Sequence, residues 1–300
     1  MSAVIQLEGL TKHYGSARGI VDVDLEVSEG EVFGFLGPNG AGKTTTIRLI
    51  MDLIRPSEGT ARVFSLDARR DATLIQARTG YMPGELALYG GLTGIEMLKY
   101  AANLRGGVDW AFVEGLAERL DCDLSRPIGT LSTGNKHKVG LIHALMHRPE
   151  LLILDEPTSG LDPIVQRELH RLLEEVRAEG RTVFLSSHIL PEVESLCDRV
   201  GIIREGRLVT IQQVEALKES ALSHLEFHFA AEVSADEFSS LPGVREVTAE
   251  GTVVRCTVSG SVDAVVKAAA RHEVLDLVSH EPSLEQVFLA YYTGESGDAG

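Results

Sequence analysis

Gly37-Pro38-Asn39-Gly40-Ala41-Gly42-Lys43-Thr44 is a glycine-rich stretch closed by a lysine and a hydroxyl residue. Glycines let such a loop curl until successive N–H groups point inward, and inward N–H groups cradle a phosphate. The residues from Thr45 to Ile54 read as a helix, whose N-terminus adds the positive end of its dipole, so Thr45 in its first turn joins the cradle. Lys43 is placed to reach the β- and γ-phosphates of a nucleotide, and the Thr44 hydroxyl to ligate Mg2+. The apolar run Leu151-Leu152-Ile153-Leu154 ends in Asp155-Glu156. By itself this could be a solvated strand end. In a parallel sheet, however, the C-terminal end of that strand faces the phosphate loop, and the backbone can turn there to bring both carboxylates to one site. Asp155 is then expected to hold Mg2+ and its waters. Glu156 is expected to orient, or take a proton from, the water that attacks the γ-phosphate.

These residues need a sheet and helices to hold them. Alternation of Val21, Val23, Leu25 and Val27 with acidic residues predicts a half-buried strand, paired antiparallel with one near Val4 to Leu7. Apolar runs at Glu31 to Leu36, Gly80 to Met82, Leu151 to Leu154 and Thr182 to Ser186 predict buried parallel strands separated by helices. Residues 86–146 read as a helical insertion, with Thr93 and Glu96 as a capping box and Ser132 as a further cap. Asp162-Pro163 starts a helix running to about Ala178. Beyond Val214 the order is strand Leu225 to Phe229, helix Ser234 to Leu241, strands Val244 to Thr248 and Thr252 to Val258, helix Ser261 to His272 and strand Val274 to Ser279. That order predicts a ferredoxin-like α+β accessory domain, followed by a helix from Ser283 to about Tyr292. The expected architecture is an α/β nucleotide-binding domain over residues 1–214 and the accessory domain over 215–300.

Composition narrows the function. The 300 residues are 44% hydrophobic, enough to bury two cores, and the net charge of −16 with no basic stripe disfavours nucleic-acid binding. Cys122, Cys197 and Cys256 are far apart and lack metal-ligand spacing, which suits reduced thiols in a cytosolic compartment. The N-terminus lacks the pattern of a signal peptide, and no apolar run approaches the roughly 20 residues of a membrane helix. A membrane role would therefore come through a partner.

With these motifs in this order, residues 1 to 215 resemble the nucleotide-binding subunit of ABC transporters, which share a P-loop NTPase fold carrying an antiparallel β layer and a helical subdomain. Leu131-Ser132-Thr133-Gly134-Asn135 is similar to the family's signature loop, with Asn135 where glutamine is usual. At a helix start, Ser132 offers a hydroxyl and Gly134 an unobstructed N–H; a helix cap alone is the other reading. The resemblance implies that both serve the nucleotide held by a second subunit, so that the working unit is a homodimer or a heterodimer with a similar subunit. Ser159-Gly160-Leu161-Asp162 resembles the loop that crosses the dimer interface, and also reads as the cap of the next helix. His188, within Ser186-Ser187-His188, is similar to the switch histidine that contacts the γ-phosphate. Tyr14 matches the aromatic that stacks on adenine, and could equally pack at a strand edge. The family's glutamine after the third strand is missing: Tyr81-Met82-Pro83 is followed by Gly84 and Glu85, and Glu85 is expected to supply the oxygen ligand instead.

The resemblance implies an ATPase using ATP and Mg2+, coupled to an integral-membrane permease on the cytoplasmic face of a membrane. Pro282 to Phe288 is similar to the tail of export-type subunits, among them antibiotic and drug efflux systems. Rival classes fare less well. A ribosome- or DNA-directed relative would carry two ATPase halves or a long coiled coil, whereas this chain has one phosphate loop and no heptad run. A GTPase would need a guanine-reading motif, which is lacking. A regulatory ATPase with a sensor domain stays open.

Overall fold

Alternating polarity over residues 21–27 leaves Val23, Leu25 and Val27 buried and the intervening acids exposed in the computed structural model, which describes residues 2–15, 17–220 and 222–280. The chain divides into two compact units, Met1–Ile211 and Gln212–Gly300.

The first unit opens with β1 (Ala3–Tyr14) and β2 (Ala17–Ser28), an antiparallel pair, then β3 (Val32–Leu36) and α1 (Lys43–Ile50). Next come β4 (Glu58–Val63), β5 (Leu66–Asp67), α2 (Ala72–Arg78) and β6 (Thr79–Met82). Helices α3 (Gly94–Leu104), α4 (Trp110–Arg119) and α5 (Thr133–Leu145) form the insertion, with a 3-10 turn at Ile128–Thr130. The unit closes with β7 (Leu151–Asp155), α6 (Pro163–Ala178), β8 (Thr182–Ser187), α7 (Leu190–Leu196), β9 (Arg199–Arg204) and β10 (Arg207–Gln213). One sheet has the order β2-β1-β4-β5; the other has the order β10-β9-β3-β8-β7-β6, parallel from β9 to β6. Strands β3, β7 and β8 are buried at every position, so both faces are covered and each carries an unbroken apolar stretch, followed in β7 and β8 by a polar end. Phe184 stacks on Phe33 at 5.8 Å and meets Phe35 at 5.5 Å, joining β8 to β3.

Several expectations need correction. The helix predicted from Thr45 to Ile54 begins two residues earlier, at Lys43, because Gly42 takes a left-handed φ of 115° as its N-cap. It stops at Ile50, and Asp52 then turns with φ 56°. The antiparallel layer has four strands rather than two, since β4 and β5 join it. Their burial pattern is mostly exposed or intermediate, which left no apolar run to read. Helix does not start at Leu86; the first turn of the insertion waits for the Thr93–Glu96 capping box. The Ser132 and Asp162 caps form as expected.

The second unit holds α8 (Val214–Ser220), β11 (Leu222–Phe229), α9 (Asp236–Ser239), β12 (Val244–Glu250), β13 (Val253–Ser259), α10 (Asp263–Ala269) and β14 (Val274–His280). Its sheet is antiparallel in the order β12-β13-β11-β14, with Leu225, Phe227 and Phe229 packed on Phe238 and Val265. Both helices are shorter than predicted. The Ser234 and Ser261 hydroxyls accept from the N–H two residues on, which makes a turn ahead of each helix rather than a first helical residue. The helix expected from Ser283 lies outside the described residues.

Within the first unit, His147 donates from Nε2 to the Thr79 carbonyl at 3.3 Å, while its Nδ1 is buried without a partner. Burial, reinforced by the Arg105 charge, holds this imidazole down at about 4 against an ordinary 6.5. The unfolded chain takes up this proton near pH 6.5 and the folded chain only near 4, so stability falls as pH drops through that window. Thermal melting between pH 7 and pH 4 is expected to show that fall, and His147→Gln to make it shallower. Phe184→Ala is expected to cost the first unit about 3–5 kcal/mol in denaturant unfolding, as a large core side chain is lost from between two rings.

Candidate functional site

Strand order brings the chemistry together. In a parallel sheet all C-terminal strand ends lie at one edge, and here β3, β6, β7 and β8 end in the glycine-rich loop, Pro83-Gly84, Asp155-Glu156 and Ser187-His188. Register sets the neighbours: Leu36 is opposite Ser187, Asp155 opposite Ser186, and Met82 opposite Leu154.

The loop from Gly37 to Gly42 is tied down at its start by the Gly37 N–H donating to the Ser187 carbonyl at 3.2 Å. At its end a Cβ on Gly42 would stand 2.6 Å from Ile20 Cγ2, so the close approach as well as the φ requires glycine. Helix α1 has no side-chain cap, which leaves the first-turn N–H groups of Lys43, Thr44 and Thr45 for an anion. Lys43 is 5% exposed and its ammonium donates to the Gly37 and Pro38 carbonyls at 2.6 and 3.1 Å. It also lies 3.1 Å from Glu156 Oε1.

Asp155 is buried, with Oδ2 accepting from the Thr44 hydroxyl at 2.8 Å and Oδ1 from the Ser186 hydroxyl at 2.5 Å. A buried carboxylate met by hydroxyls, with a threonine oxygen beside it, is a hard-oxygen set suited to a divalent cation such as Mg2+. Among the described residues no group of three or more His, Cys, Asp or Glu forms that could hold a metal ion. Burial, followed by the Asp155 charge, pushes the neighbouring Tyr81 phenol up to about 12.

Glu156 follows directly on the strand, and alternation would send its side chain to the opposite face from Asp155. Its φ of 51° breaks the alternation, and its N–H donates to the Ser186 carbonyl and hydroxyl at 3.2 and 3.1 Å. Glu156 Oε2 then meets His188 Nδ1 at 2.9 Å while Oε1 faces Lys43. A positive φ in a glutamate is strained by on the order of 1–3 kcal/mol, and the Ser186 bonds hold it.

Tyr14 lines one cleft with Pro38, Asn39, Gly40, Gly42, Lys43, Thr44, Thr45 and Glu156, a volume of about 170 Å³. Its ring is partly exposed, rests against Gly19, and has the Lys12 ammonium 5.5 Å from its centroid. Gly37 and Ala41, in the same loop, are buried. Ser132 and Gly134 do not line it. A Cβ on Gly134 would come 2.5 Å from the Gly160 carbonyl, so glycine is required by packing against the neighbouring loop as well as by any demand for an open N–H. Glu85, expected to be a ligand, is exposed; Gly84 is the residue beside Asp155. Ser186 was not foreseen, although its place at the end of an apolar strand adjoining that of Asp155 was the available signal.

Comparison with known proteins gives one answer. Residues 20–159 match the family model described as ABC transporter. The chain is 35% identical over 295 residues to the bacitracin transport ATP-binding protein BcrA of Enterococcus faecalis, covering 96% of each chain. It is 31% identical to the linearmycin resistance ATP-binding protein LnrL of Bacillus subtilis, over 95% of this chain and 97% of that one. A solved ATP-binding subunit of an ABC transporter superposes with a TM-score of 0.66 at 31% identity, covering 72% of this chain and 92% of the other. Lys43→Ala is expected to lower affinity for a fluorescent ATP analogue by about 10–100-fold in titration, the loss of a charged hydrogen bond worth ~1.5–3 kcal/mol.

Proposed function

The chain belongs to the ATP-binding proteins of ABC transporters, and from that premise we propose that it powers export of an antibiotic-like or drug-like compound through a separate membrane permease. It binds and hydrolyses ATP. Full-length similarity to a bacitracin transport protein and a linearmycin resistance protein supports the export reading.

The observation that carries the mechanism is Glu156, held between Lys43 and His188 at the edge where the phosphate loop ends. The N-terminus of α1 and Lys43 take the phosphates. Glu156 orients the attacking water and accepts its proton, and His188 holds the carboxylate and reaches toward the γ-phosphate. Thr44 and Asp155 would hold Mg2+, which neutralises charge developing on the β- and γ-phosphates. Tyr14 stacks on the adenine ring.

Ser132 and Gly134, being outside this cleft, complete the site of a second subunit; that division of labour supports a dimer. No helix among the described residues is long and apolar enough to cross a membrane; in this reading the permease is a separate protein and the subunit sits peripherally at the inner face. Tyr89 and Tyr100, exposed and edge-on at 6.4 Å, with Leu104 one turn further along α3, offer an apolar patch for that contact. Residues 1–214 form the ATP-binding domain and 215–300 a ferredoxin-like accessory domain, a reading supported by the βαββαβ order and the antiparallel sheet β12-β13-β11-β14.

Glu156→Gln is expected to keep ATP binding while hydrolysis falls about 10²–10⁴-fold, as for loss of a general base. With Mg-ATP it should form a dimer by light scattering and, purified in mild detergent, bring down a multi-spanning membrane protein. Recovery of soluble or ribosomal partners alone would discard the transport assignment and leave the ATPase.

A further inference from the structure

Strand β6 pairs with β7 so that Met82 stands opposite Leu154, and each chain continues toward the phosphate edge. Two residues past Met82, Gly84 reaches the level of Asp155. A Cβ at Gly84 would lie 3.4 Å from the Asp155 carbonyl oxygen and 3.5 Å from Oδ2, the oxygen that accepts from Thr44. The missing side chain therefore faces the carboxylate oxygen best placed for a cation. Those distances are ordinary van der Waals contact and the backbone at Gly84 is not left-handed, so a side chain is sterically admissible there. The next residue, Glu85, is exposed. On the other side of Asp155, the Ser186 hydroxyl is already committed to Oδ1.

From this geometry we infer that the cation corner of Thr44 and Asp155 is left to water on its Gly84 side, and that Gly84 sets how much divalent cation the protein needs to hold nucleotide. This rests on the ATP-binding reading above. Mg2+ demands six oxygens in near-octahedral order and keeps waters wherever the protein offers none. Two side-chain oxygens and the nucleotide phosphates then leave a wet sphere. A glutamine at position 84 would carry a neutral amide oxygen roughly 3–4 Å beyond its Cβ, the reach needed to replace one of those waters. Removing Glu85 would change nothing in that sphere.

The test uses the full chain, a β,γ-imido analogue of ATP and Mn2+ as the paramagnetic probe. Electron paramagnetic resonance in 17O-enriched water counts the waters on the cation, and a fluorescent nucleotide titrated at graded Mg2+ gives the half-saturating Mg2+ concentration. Gly84→Gln is expected to lose one cation-bound water relative to the unaltered chain and to lower the Mg2+ requirement on the order of tenfold. Gly84→Ala, which adds bulk without an oxygen, and Glu85→Ala should both match the unaltered chain. The proposal is overturned if Gly84→Gln leaves the water count and the Mg2+ requirement unchanged, if Gly84→Ala reproduces its effect, or if Glu85→Ala raises the requirement. Failure of the unaltered chain to bind the analogue at any Mg2+ concentration would instead sink the ATP-binding reading, and this proposal with it.

Discussion

The register of three parallel strands governs the site. Asp155 opposite Ser186 and Leu36 opposite Ser187 bring the carboxylate to the Ser186 hydroxyl and the root of the phosphate loop to the Ser187 carbonyl. In a sheet buried on both faces, a slip of one residue would exchange the side chains between two differently packed faces and spoil the fit of each, so close packing holds the register. Phe184 against Phe33 and Phe35 is the part of that packing lying directly between β3 and β8. Precision at the polar edge is thus supplied by an apolar interior that touches no ligand.

The polar edge repays little of the cost of its own assembly. Asp155 is buried with hydroxyl partners, Lys43 is buried among carbonyls, and Glu156 takes a left-handed φ. Each feature opposes stability and suits chemistry, as expected where function overrides local preference. Ser186 carries much of the burden, since its hydroxyl serves both Asp155 and the Glu156 N–H, and its carbonyl serves the latter again.

Much of this was legible in the chain. Apolar runs revealed β3, β7 and β8, because strands covered on both faces lack the polar alternation of a half-exposed strand. The phosphate loop, the Asp155-Glu156 pair and the caps at Thr93, Ser132 and Asp162 rest on local chemistry that spacing reveals. What was not legible depends on distant backbone. Strand β4 has few buried positions, so it is its pairing with β1 and β5 that makes it a strand. The glycine at 134 is explained by a carbonyl 26 positions along the chain. That Gly84 rather than Glu85 is the residue beside Asp155 depends on the path of the loop, which is not written in residue type.

Lys43 has a further consequence. Its single ammonium already has three oxygen partners from its own chain: two carbonyls and Glu156. Incoming phosphate must therefore compete with an internal anion, and the measured affinity for nucleotide is the difference between two engagements of one charge. The Glu156 carboxylate thereby acts as an internal rival to the nucleotide for a single ammonium.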